Sequence, residues 1–177
     1  MQTCWVFDTL AVTVERTDFL DPAFASEPDT RERGVRVEIR PIETSHAGSI
    51  YASDPVTLQP GLCRIDLLES SPGAADRMHW HPAMSEGEPG DRSFDASMPT
   101  DPLGWLAQRL ADVRVLLAEV GVDELGQHSE SARHIADHAD DIVAAARSGL
   151  EWARRPWPDA IRPGPSRGWC TTTSRAC

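Results

Sequence analysis

The chain contains no lysine; all 17 of its basic residues are arginine. That absence removes Schiff-base catalysis, anchoring of pyridoxal phosphate, a lysine general base and the lysine of a phosphate-binding loop. Neither Gly-x-Gly-x-x-Gly nor a Walker-type loop occurs, which disfavours dinucleotide and P-loop chemistry. Cys4, Cys63, Cys170 and Cys177 are scattered with no Cys-x-x-Cys pair, so a thiolate zinc site or redox dithiol is not indicated and free thiols are expected. No apolar run approaches the ~18 residues of a membrane span. Positive charge is also short: the net charge of -11 repels phosphate backbones and anionic lipid heads, so neither nucleic acid nor membrane is expected as a partner. Residues 1–14 lack a basic start, include Asp8 and alternate apolar with polar residues, unlike a secretory signal. The expected location is cytoplasmic.

What the chain does have is enough apolar material for a core. Hydrophobic residues make up 40% and there are six tryptophans, which excludes a disordered chain. A length of 177 residues suits one domain better than two small ones. The expected organisation is a single α+β domain over residues 1–155, mainly β in 1–98 and mainly α in 100–155. Residues 156–177, with four prolines, are expected to form a poorly ordered tail.

Residues 4–14 are rich in β-branched and aromatic types and read as a strand, and 18–34, with two prolines and many acids, as a loop. Val35, Val37 and Ile39 alternate with Arg36, Glu38 and Arg40, the pattern of a strand with one dry and one wet face, ending at Pro41. Further strands are expected at 48–52, 55–59 and 62–69, the last two separated by a Pro60-Gly61 turn. After Pro99 the period changes. Asp101 as N-cap and Pro102 at the first helical position start a helix whose apolar residues recur to Val120. A second helix, starting near Asp123 or Ser129, runs to about Arg155 and stops at Pro156, with Gly149 weakening its last turn. The fold expected is thus an antiparallel sheet of about five to six strands, open or curled into a partial barrel, followed by a C-terminal helical hairpin that covers one face or closes one end.

The densest chemistry lies in Arg77-Met78-His79-Trp80-His81-Pro82 and the acidic stretch after it. In an extended chain Arg77, His79 and His81 share one face and Met78 and Trp80 the other. Two imidazoles on one strand can each give one nitrogen to a metal while a nearby acceptor orients the other. A turn at 82–85 could return Glu86 as third ligand, giving a two-histidine, one-carboxylate set with open positions. The simpler alternative is a polar sheet face in which these residues pair with acids such as Asp66 or Glu86.

Gly73, His79, His81 and Glu86 have a spacing that resembles the first metal-binding motif of the cupin superfamily: a glycine, five residues, His-x-His, then a glutamate. The resemblance covers about twenty residues. It implies that His79, His81 and Glu86 are ligands of iron, manganese, zinc or nickel. Ser93 stands where that motif closes with a glycine, and the second cupin motif, which supplies a third histidine from a later strand, has no counterpart because the chain beyond residue 100 reads as helix.

Three further groups carry candidate chemistry. Arg77 and Arg92 could clamp a carboxylate or phosphate beside the histidines, or neutralise the acidic loop. His134 and His138 share a helix face at i, i+4, with His128 less than two turns earlier; without a glutamate after the first histidine, a solvated face explains them better. Glu86, Glu88, Asp91 and Asp95 could offer oxygens to calcium or magnesium, but lack the EF-hand order. The leading expectation is a protein with one metal on its His-x-His strand, acting as an enzyme on a small anionic molecule. The alternative is a non-catalytic binding protein, a homodimer or part of a complex, that uses its helical hairpin and keeps its histidines for structure.

Overall fold

The computed structural model describes residues 1–20, 31–45, 55–123 and 125–157. Among these residues it is an α+β fold: an antiparallel six-stranded sheet followed by four C-terminal helices, with no closed barrel. The strands are β1 (Gln2–Val6), β2 (Leu10–Leu20), β3 (Arg31–Thr44), β4 (Val56–Leu58), β5 (Cys63–Glu69) and β6 (His79–His81). They lie in the order β1-β2-β3-β5-β6, with β4 paired to the end of β3, and a separate hairpin joins β7 (Met84–Ser85) to β8 (Glu88–Pro89).

Several expected boundaries move. The single strand read over 4–14 is a hairpin, because β1 and β2 turn at residues 7–9, where the Phe7 amide donates to the Leu10 carbonyl at 2.8 Å. Both arms are rich in strand-forming residues, which hid the turn between them. The loop expected over 18–34 begins and ends in strand: Asp18 lies opposite Arg33 and Leu20 opposite Arg31 near the ends of β2 and β3, and the Arg31 Nε reaches diagonally to donate to Asp18 Oδ1 at 2.8 Å. Acidity there serves pairing. Pro41 lies inside β3 rather than at its end, opposite Leu10, and its carbonyl still accepts from the Gln59 amide at 2.9 Å. The strand expected at 48–52 and most of the tail, 158–177, lie outside the described residues.

Each expected helix is two. Asp101 caps α1 (Pro102–Ala111) by accepting from the Gly104 amide, and Asp112 then opens α2 (Val113–Glu119) by accepting from the Val115 amide. The Asp112 side chain replaces a backbone bond and breaks the run, although the apolar stripe continues through it. A short 3-10 turn (Leu125–His128) leads into α3 (Ser129–Asp137), and His138 separates it from α4 (Ala139–Ala153).

Strand alternation divides the sheet into two faces. Val14, Val37, Ile65 and Trp80 form one cross-strand row on the dry face, packed with Leu106, Leu110, Leu117, Ile135, Ile142 and Leu150 of the helices. Gly149 has a role here beyond weakening its helix: a Cβ at that position would sit 2.3 Å from Val35 Cγ2, so its absence lets α4 lie close on β3. The other face carries two polar rows, Glu15-Arg36-Asp66-His79 and Thr13-Glu38-Arg64-His81. Glu38, Asp66, His79 and His81 are nonetheless buried. A buried ionic row away from the apolar core is where function is to be sought.

Candidate metal centre

The polar rows end in a group of three ligating side chains. Asp66, from β5, is the direct ladder partner of His79 on β6, and His81 follows two residues along the same face. One ligating atom from each of Asp66, His79 and His81 lies within 4.8 Å of the other two. The three residues are 2%, 2% and 5% exposed.

Both imidazoles are oriented by the backbone. His79 Nδ1 lies 2.9 Å from the Arg77 carbonyl oxygen and His81 Nδ1 lies 2.8 Å from that of Gly90. A carbonyl only accepts, so each ring carries a hydrogen on Nδ1, and the neutral form of each ring offers its Nε2 lone pair. The two Nε2 atoms stand 3.5 Å and 3.7 Å from Asp66 Oδ2, beyond ordinary hydrogen-bond length. The other oxygen, Oδ1, accepts from Arg36 Nε at 2.9 Å. One end of the carboxylate is therefore anchored and the other faces two lone pairs.

Those separations fit a metal. Two ligands about 2.1 Å from a tetrahedral ion lie roughly 3.4 Å apart, close to both observed values. Burial pushes the His79 imidazole below its ordinary value; the Arg77 carbonyl and Asp66 oppose this, while Arg92 and His81 act in the same direction as burial. A neutral ring is the form that ligates. These residues could bind a metal ion.

A cavity of about 380 Å³ opens in front of the group, lined by Arg36, Arg64 and Arg92, by Glu32 and Asp91, and by the triad itself. Arg64 is held by Glu38 at 2.6 Å and reaches the Gly87 carbonyl at 3.5 Å; Glu38 also pairs with Arg40. Arg92 is exposed at the cavity and makes no hydrogen bond or ion pair among the described residues. On the reverse face Trp80 packs against Trp105, with ring centroids 6.1 Å apart, and Arg109 lies over both rings.

The structure brings His79 and His81 together with Asp66, and does not bring Glu86 to them. Glu86 and Gly87 form the two-residue turn of the β7–β8 hairpin, at φ 52° and 89°, the geometry of a turn with both central residues left-handed. The turn leaves Glu86 exposed, outside the ligating group. Gly73 lies in the loop between β5 and β6, where its amide donates to Glu69 at 2.6 Å; Ser93 pairs with Trp80 along the outer edge of β6. Of the two arginines singled out, Arg92 lines the cavity, whereas Arg77 contributes its carbonyl to His79. His134 and His138 lie apart from the triad, beside the ring of Phe7 at 6.4 Å and 5.6 Å. His128 is buried with Thr9, its Nδ1 2.8 Å from the hydroxyl. In the acidic loop, Asp95 accepts from Ser97 and from the Trp105 indole rather than facing an ion with its neighbours.

Asp66, expected beside the histidines as a pairing acid of the polar face, is not readable as a ligand because its signal is not local. Arg64 and Asp66 alternate with Ile65 and Leu67, so the polar face of β5 is visible in sequence; that it meets His79 depends on strand register. Residues 164–168 also spell Gly-x-Ser-x-Gly, the sequence of a nucleophile elbow. These positions lie outside the described residues. Compared with family models, with curated proteins and with solved structures, the chain matches none.

Proposed function

We propose that Asp66, His79 and His81 hold one divalent ion and that the protein is a metal-dependent enzyme acting on a small anionic molecule. The observation that carries this reading is the convergence of two bare Nε2 lone pairs on Asp66 Oδ2, with both Nδ1 hydrogens given to carbonyls. Among the described residues these three atoms have no protein partner at hydrogen-bonding distance. The donor set of two imidazoles and one carboxylate suits iron, manganese, zinc or nickel. A bound ion would polarise an oxyanion or activate water at its open positions.

The chain's own residues supply the rest. Arg36 fixes the direction of Asp66, while the Arg77 and Gly90 carbonyls fix the rings. Arg92 stands at the cavity with its guanidinium uncommitted among the described residues, as an anion clamp requires. The alternative of partner binding through the helices has less support. Their apolar stripe lies in the core, and among the described residues Val115 is the one large apolar helix side chain that is exposed. No helix among the described residues is long and apolar enough to cross a membrane.

Elemental analysis of untagged protein tests the reading. About one equivalent of metal is expected, and it should disappear in His79→Ala, His81→Ala and Asp66→Asn variants that keep the circular dichroism of the parent. Full metal content in all three variants would refute it.

A further inference from the structure

Resting on the metal reading above, we infer that the cavity before the triad takes a small dianion, a dicarboxylate or a phosphate, lodged between the metal and Arg92. Three arginines line the cavity, Arg36, Arg64 and Arg92, matched by three carboxylates, Glu32, Asp66 and Asp91. Glu38 and Arg40, paired behind Arg64, offset each other. Without a metal the pocket is electrically balanced; with a divalent ion it holds two unmatched positive charges. In a site whose ligands are at most 5% exposed, uncompensated charge is costly, so a ligand that brings two negative charges is favoured over one that brings one.

Residue commitments say where the second charge goes. Arg36 is engaged by Asp66 through Nε, and Arg64 by Glu38 and the Gly87 carbonyl. Among the described residues Arg92 has no such engagement, and it lines the same cavity as His79 and His81. A ligand with one oxyanion on the metal and another facing outward would meet that guanidinium in the forked geometry that carboxylate and phosphate share. The cavity, about 380 Å³ and with Leu68 and Pro89 its main apolar lining, suits a compact polar molecule and offers little to an apolar one.

Calorimetry on zinc-loaded protein at fixed ionic strength tests this with three probes: malonate, inorganic phosphate and acetate. At least one dianion is expected to bind about tenfold or more tighter than acetate. Arg92→Gln should weaken that dianion by about tenfold relative to acetate, with zinc still bound, since Arg92 is exposed and makes none of the hydrogen bonds that orient the ligands. A preference for malonate assigns a dicarboxylate, and a preference for phosphate assigns a phosphate ester. Acetate binding as tightly as both dianions, or Arg92→Gln leaving the dianion unaffected, overturns the inference while the metal site stands. Failure of the parent protein to hold zinc overturns both.

Discussion

His79 Nε2 and Asp66 Oδ2 face each other across 3.5 Å between ladder-paired residues, while the outer oxygen of the same carboxylate is held by Arg36 at 2.9 Å. The pair is too far apart to satisfy itself and well placed to share an ion. Arg36→Gln should therefore weaken metal binding by roughly 10- to 100-fold, the usual cost of losing a partner that orients a ligand. Competition against a chromophoric chelator measures it. Unchanged affinity would show that Asp66 needs no orientation from Arg36.

Asp95 gives an acid-limb prediction. Hydrogen bonds from the Ser97 side chain and backbone, then from the Trp105 indole, hold its carboxyl at about 2, below the ordinary 3.8. A group with a depressed folded value contributes stability above its unfolded value and loses it as pH falls through the folded one. The Asp95→Asn variant should therefore be less stable than the parent by a constant amount above about pH 5, with the gap narrowing steadily as pH falls to about 2 and below. Urea midpoints followed by tryptophan fluorescence read this directly. A gap that is flat through pH 2 would count against the Asp95 contacts.

The two cysteines among the described residues should differ in reactivity. Burial pushes the Cys63 thiol up to about 12, whereas Cys4 lies exposed on the edge strand β1. Peptide mapping after brief alkylation at pH 8 is expected to find Cys4 modified in the native protein and Cys63 only after denaturation. Equal labelling in the native state would contradict the packing of β5.

Gly149 tests the contact between helix and sheet. Alanine is favoured over glycine by roughly 1 kcal/mol inside a helix, but the added Cβ would lie 2.3 Å from Val35 Cγ2. Overpacking costs about 1–3 kcal/mol, so Gly149→Ala should destabilise the protein, and Val35→Ala in the same chain should recover part of the loss. A stabilised single variant would mean that α4 does not lie this close to β3.

The fold was legible where its signal was local. Alternation at Val35, Val37 and Ile39 marked β3, Asp101-Pro102 marked the start of α1, and the change of period after Pro99 separated sheet from helices. What escaped was punctuation by ordinary side chains: the turn at residues 7–9, and the helix breaks at Asp112 and His138. At the site, His79 and His81 were readable because two residues apart on a strand means the same face. Asp66 lies 13 residues before His79, and only the pairing of β5 with β6 brings it in. Glu86 was nearer in sequence, but its left-handed turn conformation placed it in a hairpin instead.

The most direct measurement is anomalous diffraction from crystals of zinc-loaded protein, which places the ion independently of any assay. A single strong peak is expected about 2.0–2.2 Å from His79 Nε2, His81 Nε2 and an oxygen of Asp66. A peak at His134 and His138, or at the acidic loop, with the buried imidazoles left bare, would contradict the site.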